Sequence, residues 1–240
     1  MNPPLIFMHG WGQSKQIWHQ QQSQFPTAKF LNLPGHGGEP DSIDWLTTLA
    51  KQLPENPCIL VGWSLGGMLA MQLALAYPER IKALALVSST PCFSQKEGWA
   101  HGCTDEVLQG FKQGIKHQAA KTMSRFFALM FHCEAMERRQ FNSIARAAVD
   151  RDQPSSAQGM QEGLRLLTDL DLRTDISKIT QPTWIAHGEN DAIIPVQASE
   201  FLAKHISHST LHRFSSCGHA PFLTQAETFH RLLESWCHTI

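Results

Sequence analysis

Residues Val61–Ala70 read Val-Gly-Trp-Ser-Leu-Gly-Gly-Met-Leu-Ala and follow the apolar run Cys58-Ile59-Leu60. The run predicts a strand buried on both faces, and the apolar segment 65–77 after it predicts a helix. A hydroxyl set between glycines at such a junction has the pattern Gly62-x-Ser64-x-Gly66. There the glycines let strand and helix approach closely while the serine takes a strained backbone conformation and projects from the sheet edge. The bland alternative is a tight turn built from small residues. The strand before it, the helix after it and the further glycine at 67 favour a nucleophile at Ser64.

Around this junction the chain alternates short apolar runs with longer helical patterns. Strands are predicted at Leu5–His9, Lys29–Leu33, Cys58–Trp63, Ala83–Ser88, Thr183–His187 and Thr210–Phe214, and helices near 14–24, 42–53, 65–77, 196–206 and 222–237. Strand, helix, strand, repeated, implies an α/β fold with a doubly wound, mostly parallel sheet, whose ligand sites lie at the carboxyl ends of its strands. Residues 98–169 break the rhythm with helical patterns alone (Val107–His117, Ala119–Phe131, Ala135–Val149, Gln158–Thr168). They are expected to form a helical cap inserted into a core made of 1–97 and 170–240. Most of the cap's large apolar residues, among them Trp99, Phe111, Met123, Phe127, Met130, Phe131, Met136, Phe141 and Met160, should form its own core. An inner face rich in Met and Phe suits a flexible acyl pocket, and Phe126 is assigned to substrate contact.

Composition narrows the function. The 240 residues carry 20 Lys plus Arg against 21 Asp plus Glu, a net charge of −1. No overall field draws the chain to nucleic acid or an anionic membrane. The start, MNPPLIFMHGWG, has neither a basic region nor a long apolar one, so no signal peptide is expected, and no apolar stretch approaches the ~20 residues of a membrane span. Six cysteines at 58, 92, 103, 133, 217 and 237 form no zinc-binding or Cys-x-x-Cys spacing and read as reduced thiols. A cytoplasmic protein is expected, needing no metal and no cofactor, because no metal-binding or phosphate-binding motif is present.

A serine needs a base, and the base an orienting acid; at this kind of elbow the chain order is Ser, Asp or Glu, then His. The loop Gly188-Glu189-Asn190-Asp191 follows the fifth predicted strand, making Asp191 the acid, with Glu189 the substitute. Among 13 histidines, His219 in Ser215-Ser216-Cys217-Gly218-His219-Ala220-Pro221 lies between the last strand and the last helix and is the expected base. His205, His208, His212 and His230 fall in or beside elements, and His187 precedes the acid and would break the order. Two backbone N–H groups are expected to hold the oxyanion: Leu65, at the helix's amino end, and Trp11, in the loop His9-Gly10-Trp11-Gly12. The side chains of Trp11 and Trp63 are expected to wall the pocket.

The set HGWG, LPGHG, GWSLGG, GENDAIIP and GHAPF resembles the α/β-hydrolase superfamily over nearly the whole chain. With Ser88–Ser94 and Asp171-Leu172-Arg173, the restricted form of the elbow resembles the biotin-pathway pimeloyl-[acyl-carrier protein] methyl ester esterases. That resemblance implies a serine carboxylesterase that cleaves a methyl ester on a carrier-bound chain and docks the carrier through basic cap residues. Residues 111–146 hold seven basic side chains against Glu134 and Glu137. The family positions carry docking over to Lys121 (where arginine is expected), Arg125 and Arg138, with Arg139 beside them. Two features depart from the pattern: the chain begins at the HGWG strand, implying a trimmed sheet edge, and Asn32 stands where Asp is common. Other readings are a short-chain carboxylesterase, a carbon–carbon hydrolase of the same scaffold, or a non-catalytic binding module. A monomer is expected.

Overall fold

A computed structural model describes residues 3–240. Six strands form one sheet in the order β2-β1-β3-β4-β5-β6: β1 Leu5–Met8, β2 Lys29–Leu31, β3 Cys58–Trp63, β4 Ile81–Val87, β5 Thr183–Gly188 and β6 Ser209–Phe214. Every neighbouring pair is parallel. Parallel strands need crossovers, supplied here by α1 His19–Gln24, α2 Trp45–Gln52, α3 Leu65–Ala76 and α7 Val196–His205; α8 Pro221–Thr224 and α9 Ala226–Cys237 follow β6.

β3 is buried along its whole length, and α3 buries nine of its twelve residues. A helix apolar on all sides belongs inside a protein, and this one lies against the middle of the sheet. Gly62 makes that possible, since a Cβ there would lie 2.6 Å from the Cα of Gly67.

The chain between β4 and β5 carries α4 Asp105–Leu129, α5 Arg138–Ala148 and α6 Ala157–Asp169. Among the described residues it forms only isolated bridges, to Cys92, Ser94 and Lys96, and no strand. α4 is broken at Gln118 (φ −147°, ψ 51°), at the residue separating the two predicted helical patterns. The two ends of this stretch are fastened together: Leu172 N donates to Pro91 O at 2.8 Å, and Arg173 pairs with Asp171 at 2.7 Å while lying over the Trp99 ring. The Asp-Leu-Arg stretch is therefore a clasp at the base of these helices.

α6 is seated on the Pro34–Gly38 turn. Ser156 N donates to Gly35 O at 2.7 Å, the Ser156 hydroxyl meets Asp41, and the same oxygen caps the helix by accepting from Gly159 N. Among the described residues no helix is long and apolar enough to cross a membrane. All six cysteines are unpaired; three are buried, two half-buried, and Cys133 is exposed.

Candidate active site

Ser64 caps α3 at φ 54°, ψ −118°, a region that non-glycine residues enter only where surrounding structure enforces it. The enforcement is visible. Ser64 N donates to Val87 O at 2.9 Å, Ser64 O accepts from Gly67 N and Met68 N, and the Ser89 hydroxyl donates to the same carbonyl at 2.8 Å. Gly66 lets the turn press on β1, because a Cβ there would sit 2.6 Å from His9 O.

Asp191 follows β5 with its carboxylate fully buried. Oδ1 accepts from Ile193 N (2.8 Å) and Ile194 N (3.0 Å), and Oδ2 accepts from His219 Nδ1 at 2.7 Å. Burial is the largest single influence and opposes ionisation. The His219 charge and the hydrogen bonds from His187 and His219 together outweigh it and hold the carboxyl well below the usual carboxylate range. Because Asp191 can only accept, His219 carries its proton on Nδ1, which leaves Nε2 free to take one. Nε2 is buried with no partner among the described residues. The Ser64–His219 hydrogen bond is not made; such bonds are often open in resting sites and close on the substrate.

The His219 loop is held from both sides. His219 N donates to Met130 O at 2.9 Å, Gly218 N donates to Glu134 Oε1 at 2.8 Å, and the Trp63 indole N–H donates to His219 O at 2.8 Å. The Trp63 ring is 1% exposed and packs against Trp18, Phe222 and the His219 ring, with its edge beside the elbow: a Cβ on Gly10 would lie 3.0 Å from it and 3.2 Å from Ser64 Cβ.

The Trp11 loop is fixed by two buried histidines. His9 Nδ1–H donates to Gly10 O (2.8 Å) while Nε2 accepts from Leu33 N (2.9 Å). His36 Nδ1–H donates to Pro34 O (2.9 Å) while Nε2 accepts from Gly12 N (3.2 Å). Each ring uses one nitrogen as acceptor, which only the neutral form allows. Burial pushes His9 down to about 3, helped by the nearby His36, and His36 down to about 4 against the pull of Pro34 O and Asp41. Asn32 adds to the lock, accepting from Lys15 N and donating to Gly37 O, both at 2.7 Å. Among the described residues neither Trp11 N nor Leu65 N has a protein partner. The Trp11 indole N–H donates to Met160 O at 2.9 Å, and its ring meets Phe126 edge-on at 5.3 Å.

The sequence profile described as "alpha/beta hydrolase fold" matches residues 3–226. A pimeloyl-[acyl-carrier protein] methyl ester esterase of Nitrosomonas europaea is 35% identical over 235 residues, covering 95% of this chain and 92% of the relative. One of the same description from Aromatoleum aromaticum is 34% identical over 97% of each chain. The chain belongs to this esterase family of α/β hydrolases. Among solved structures, an esterase from Exiguobacterium antarcticum is similar at a TM-score of 0.88, with 23% identity over 99% of this chain and 93% of that one. MenH from S. aureus has a TM-score of 0.82 and 21% identity over 100% and 94%. At those identities the structures speak for the fold alone.

In this α/β hydrolase an apolar opening lies beside the Trp11 loop, and neither Ser64, Asp191 nor His219 lines it. A cavity of about 500 Å³ has Gly12, Gln13 and Ser14 on one side and Met123 and Phe127 of α4 and Phe141 of α5 on the other. Ser64 and His219 are themselves 5% and 0% exposed. A second hollow of about 600 Å³ lies between the two halves of α4, with Lys121 and Arg125 on its lining together with Phe111 and Phe126. Lys121, Arg125, Arg138 and Arg139 are all exposed and form no ion pair among the described residues.

Three contributors escaped the sequence reading. Glu134 counted there only as a charge against the basic stretch, His187 was set aside on chain order, and the histidines of HGWG and LPGHG carried no assigned role. Only the last had a local signal, a His beside the turn glycines in each motif.

Proposed function

We infer that this chain is a serine esterase that hydrolyses the methyl ester of pimeloyl-[acyl-carrier protein]. The observation carrying this is near-full-length similarity to esterases of that description, in a chain that pairs Asp191 with His219 at 2.7 Å and holds Ser64 in the strained elbow. His219 Nε2 takes the proton of Ser64 as Oγ attacks the ester carbonyl carbon. Charge collects on the carbonyl oxygen, where Trp11 N–H and Leu65 N–H donate to it. The carbon–methoxy bond then breaks, and His219 passes its proton to the departing methanol. Water, deprotonated by His219, attacks the acyl-enzyme; the free acid leaves and Ser64 regains its proton. Asp191 stabilises the imidazolium throughout.

The substrate arrives on a carrier, and the exposed Lys121, Arg125, Arg138 and Arg139 are the docking residues for that acidic partner. The apolar cavity beside the Trp11 loop suits the acyl chain. The enzyme acts as a single chain on a soluble substrate, with the helices between β4 and β5 as its cap.

The test is turnover of carrier-linked pimeloyl methyl ester by mass spectrometry, set against p-nitrophenyl acetate. Reversing Lys121 and Arg125 to Glu should lower kcat/KM for the carrier substrate by roughly 10- to 100-fold, with a far smaller fall on the small ester. An unchanged ratio between the two substrates would remove the docking assignment and favour a general short-chain esterase.

A further inference from the structure

Asp191 is gripped from a side that the triad does not use. His187, in β5, is 0% exposed. Its Nε2 lies 2.8 Å from Ile194 O and 3.2 Å from Asp191 Oδ2. Both neighbours only accept, so Nε2 carries a proton, which it donates to Ile194 O while facing Oδ2. Nδ1 then accepts from the hydroxyl of Ser199, which lies 2.5 Å away in α7 and is equally buried. The same oxygen that receives His219 Nδ1 at 2.7 Å thus has a second histidine on it. With Ile193 N and Ile194 N on Oδ1 and His219 on Oδ2, the carboxylate has three hydrogen-bond donors, and His187 Nε2 stands 3.2 Å from Oδ2 as a further polar contact.

We propose that His187, oriented by Ser199, is a positioning residue of the catalytic triad, seating Asp191 and setting how strongly its Oδ2 holds His219. A donor on Oδ2 draws off part of its negative charge, so less is left to stabilise the imidazolium. Removing it leaves the carboxylate held through Oδ1 but more basic toward His219. The other reading is that His187 merely ties off the 188–194 loop through Ile194 O. The two differ in the pH profile. The titratable groups around the carboxylate are His187 in β5, His219 and Cys217 in the loop after β6, and Glu134, which reaches that loop at Gly218 N. Of these only His187 and His219 place a ring nitrogen against Oδ2, at 3.2 and 2.7 Å.

The inference rests on the triad but not on the carrier substrate, so the experiment uses the full chain with p-nitrophenyl acetate from pH 4.5 to 9. His187→Leu should lower kcat by roughly tenfold with little change in KM, and should shift the acidic limb of kcat/KM to higher pH by about half a unit or more. His187→Gln, which keeps an N–H near the Nε2 position, should restore both toward wild type. Ser199→Ala should move the limb in the same direction by less, and it serves if the Leu variant does not fold. A wild-type limb in folded His187→Leu or Ser199→Ala, or a Gln variant no better than Leu, overturns the proposal. Turnover that survives Ser64→Ala points instead to failure of the triad reading.

Discussion

Acidifying the protein from pH 7 to pH 5 should cost stability through the two histidines that fix the Trp11 loop. In the folded chain His9 and His36 stay neutral, pushed down to about 3 and about 4, whereas the unfolded chain titrates them near 6.5. The sign follows from proton counts: above pH 6.5 neither state binds a proton at these sites, and between 6.5 and 4 only the unfolded state does. Stability is therefore complete above 6.5 and is lost as pH falls toward the folded values. At pH 5 both folded rings remain largely neutral, so each site loses about 2 kcal/mol between pH 7 and 5, about 4 kcal/mol together. That is a large share of the 5–15 kcal/mol typical of a domain. Asp191 does not contribute in this window, because its carboxyl is depressed and its stabilising effect fades only as pH drops below about 4.

Urea unfolding followed by tryptophan fluorescence at pH 7, 6 and 5 measures the loss. Comparing wild type with His36→Gln isolates one site whatever the variant costs at pH 7, because other buried histidines cancel in the difference. The variant should lose about 2 kcal/mol less than wild type over the two pH units. Equal pH dependences for the two proteins would refute the argument that His36 is buried neutral.

Other expectations are local. Gly66→Ala should destabilise by roughly 2 kcal/mol or more, because the new methyl meets the carbonyls ending β1; thermal melting reads it. Glu134→Ala should lower kcat several-fold at similar KM by freeing Gly218 N, and Glu134→Gln, which keeps the acceptor, should recover most of it. Trp63→Phe keeps an aromatic ring in the core but deletes the bond to His219 O; about 1 kcal/mol of stability and part of kcat should go together. A fall in KM alone would contradict that account.

The fold was legible where burial writes a local pattern. The six strands match their apolar runs to within two residues, and even the interruption of α4 at Gln118 coincides with a break in the helical period. The serine elbow announced itself through glycines, because close approach excludes every other side chain. The Asp191–His219 contact was reachable from loop order along a parallel sheet, a topological argument rather than a pattern. What stayed hidden joins distant segments. Glu134 meets Gly218 across 84 positions, and nothing in either stretch marks the other. His187 ends a strand like any buried residue, and only the packing of α7 brings Ser199 behind it. The Trp63 indole likewise reaches His219 O across 156 positions, a contact that its place beside Ser64 in the sequence does not show.

Hydrolysis of the carrier-bound ester can be followed by incubating purified enzyme with the methyl ester of pimeloyl-[acyl-carrier protein] and weighing the carrier by intact-protein mass spectrometry. The carrier should lose one methylene in mass as methanol is released, in a reaction abolished by Ser64→Ala. A carrier that keeps its full mass, beside brisk turnover of p-nitrophenyl acetate, would contradict it.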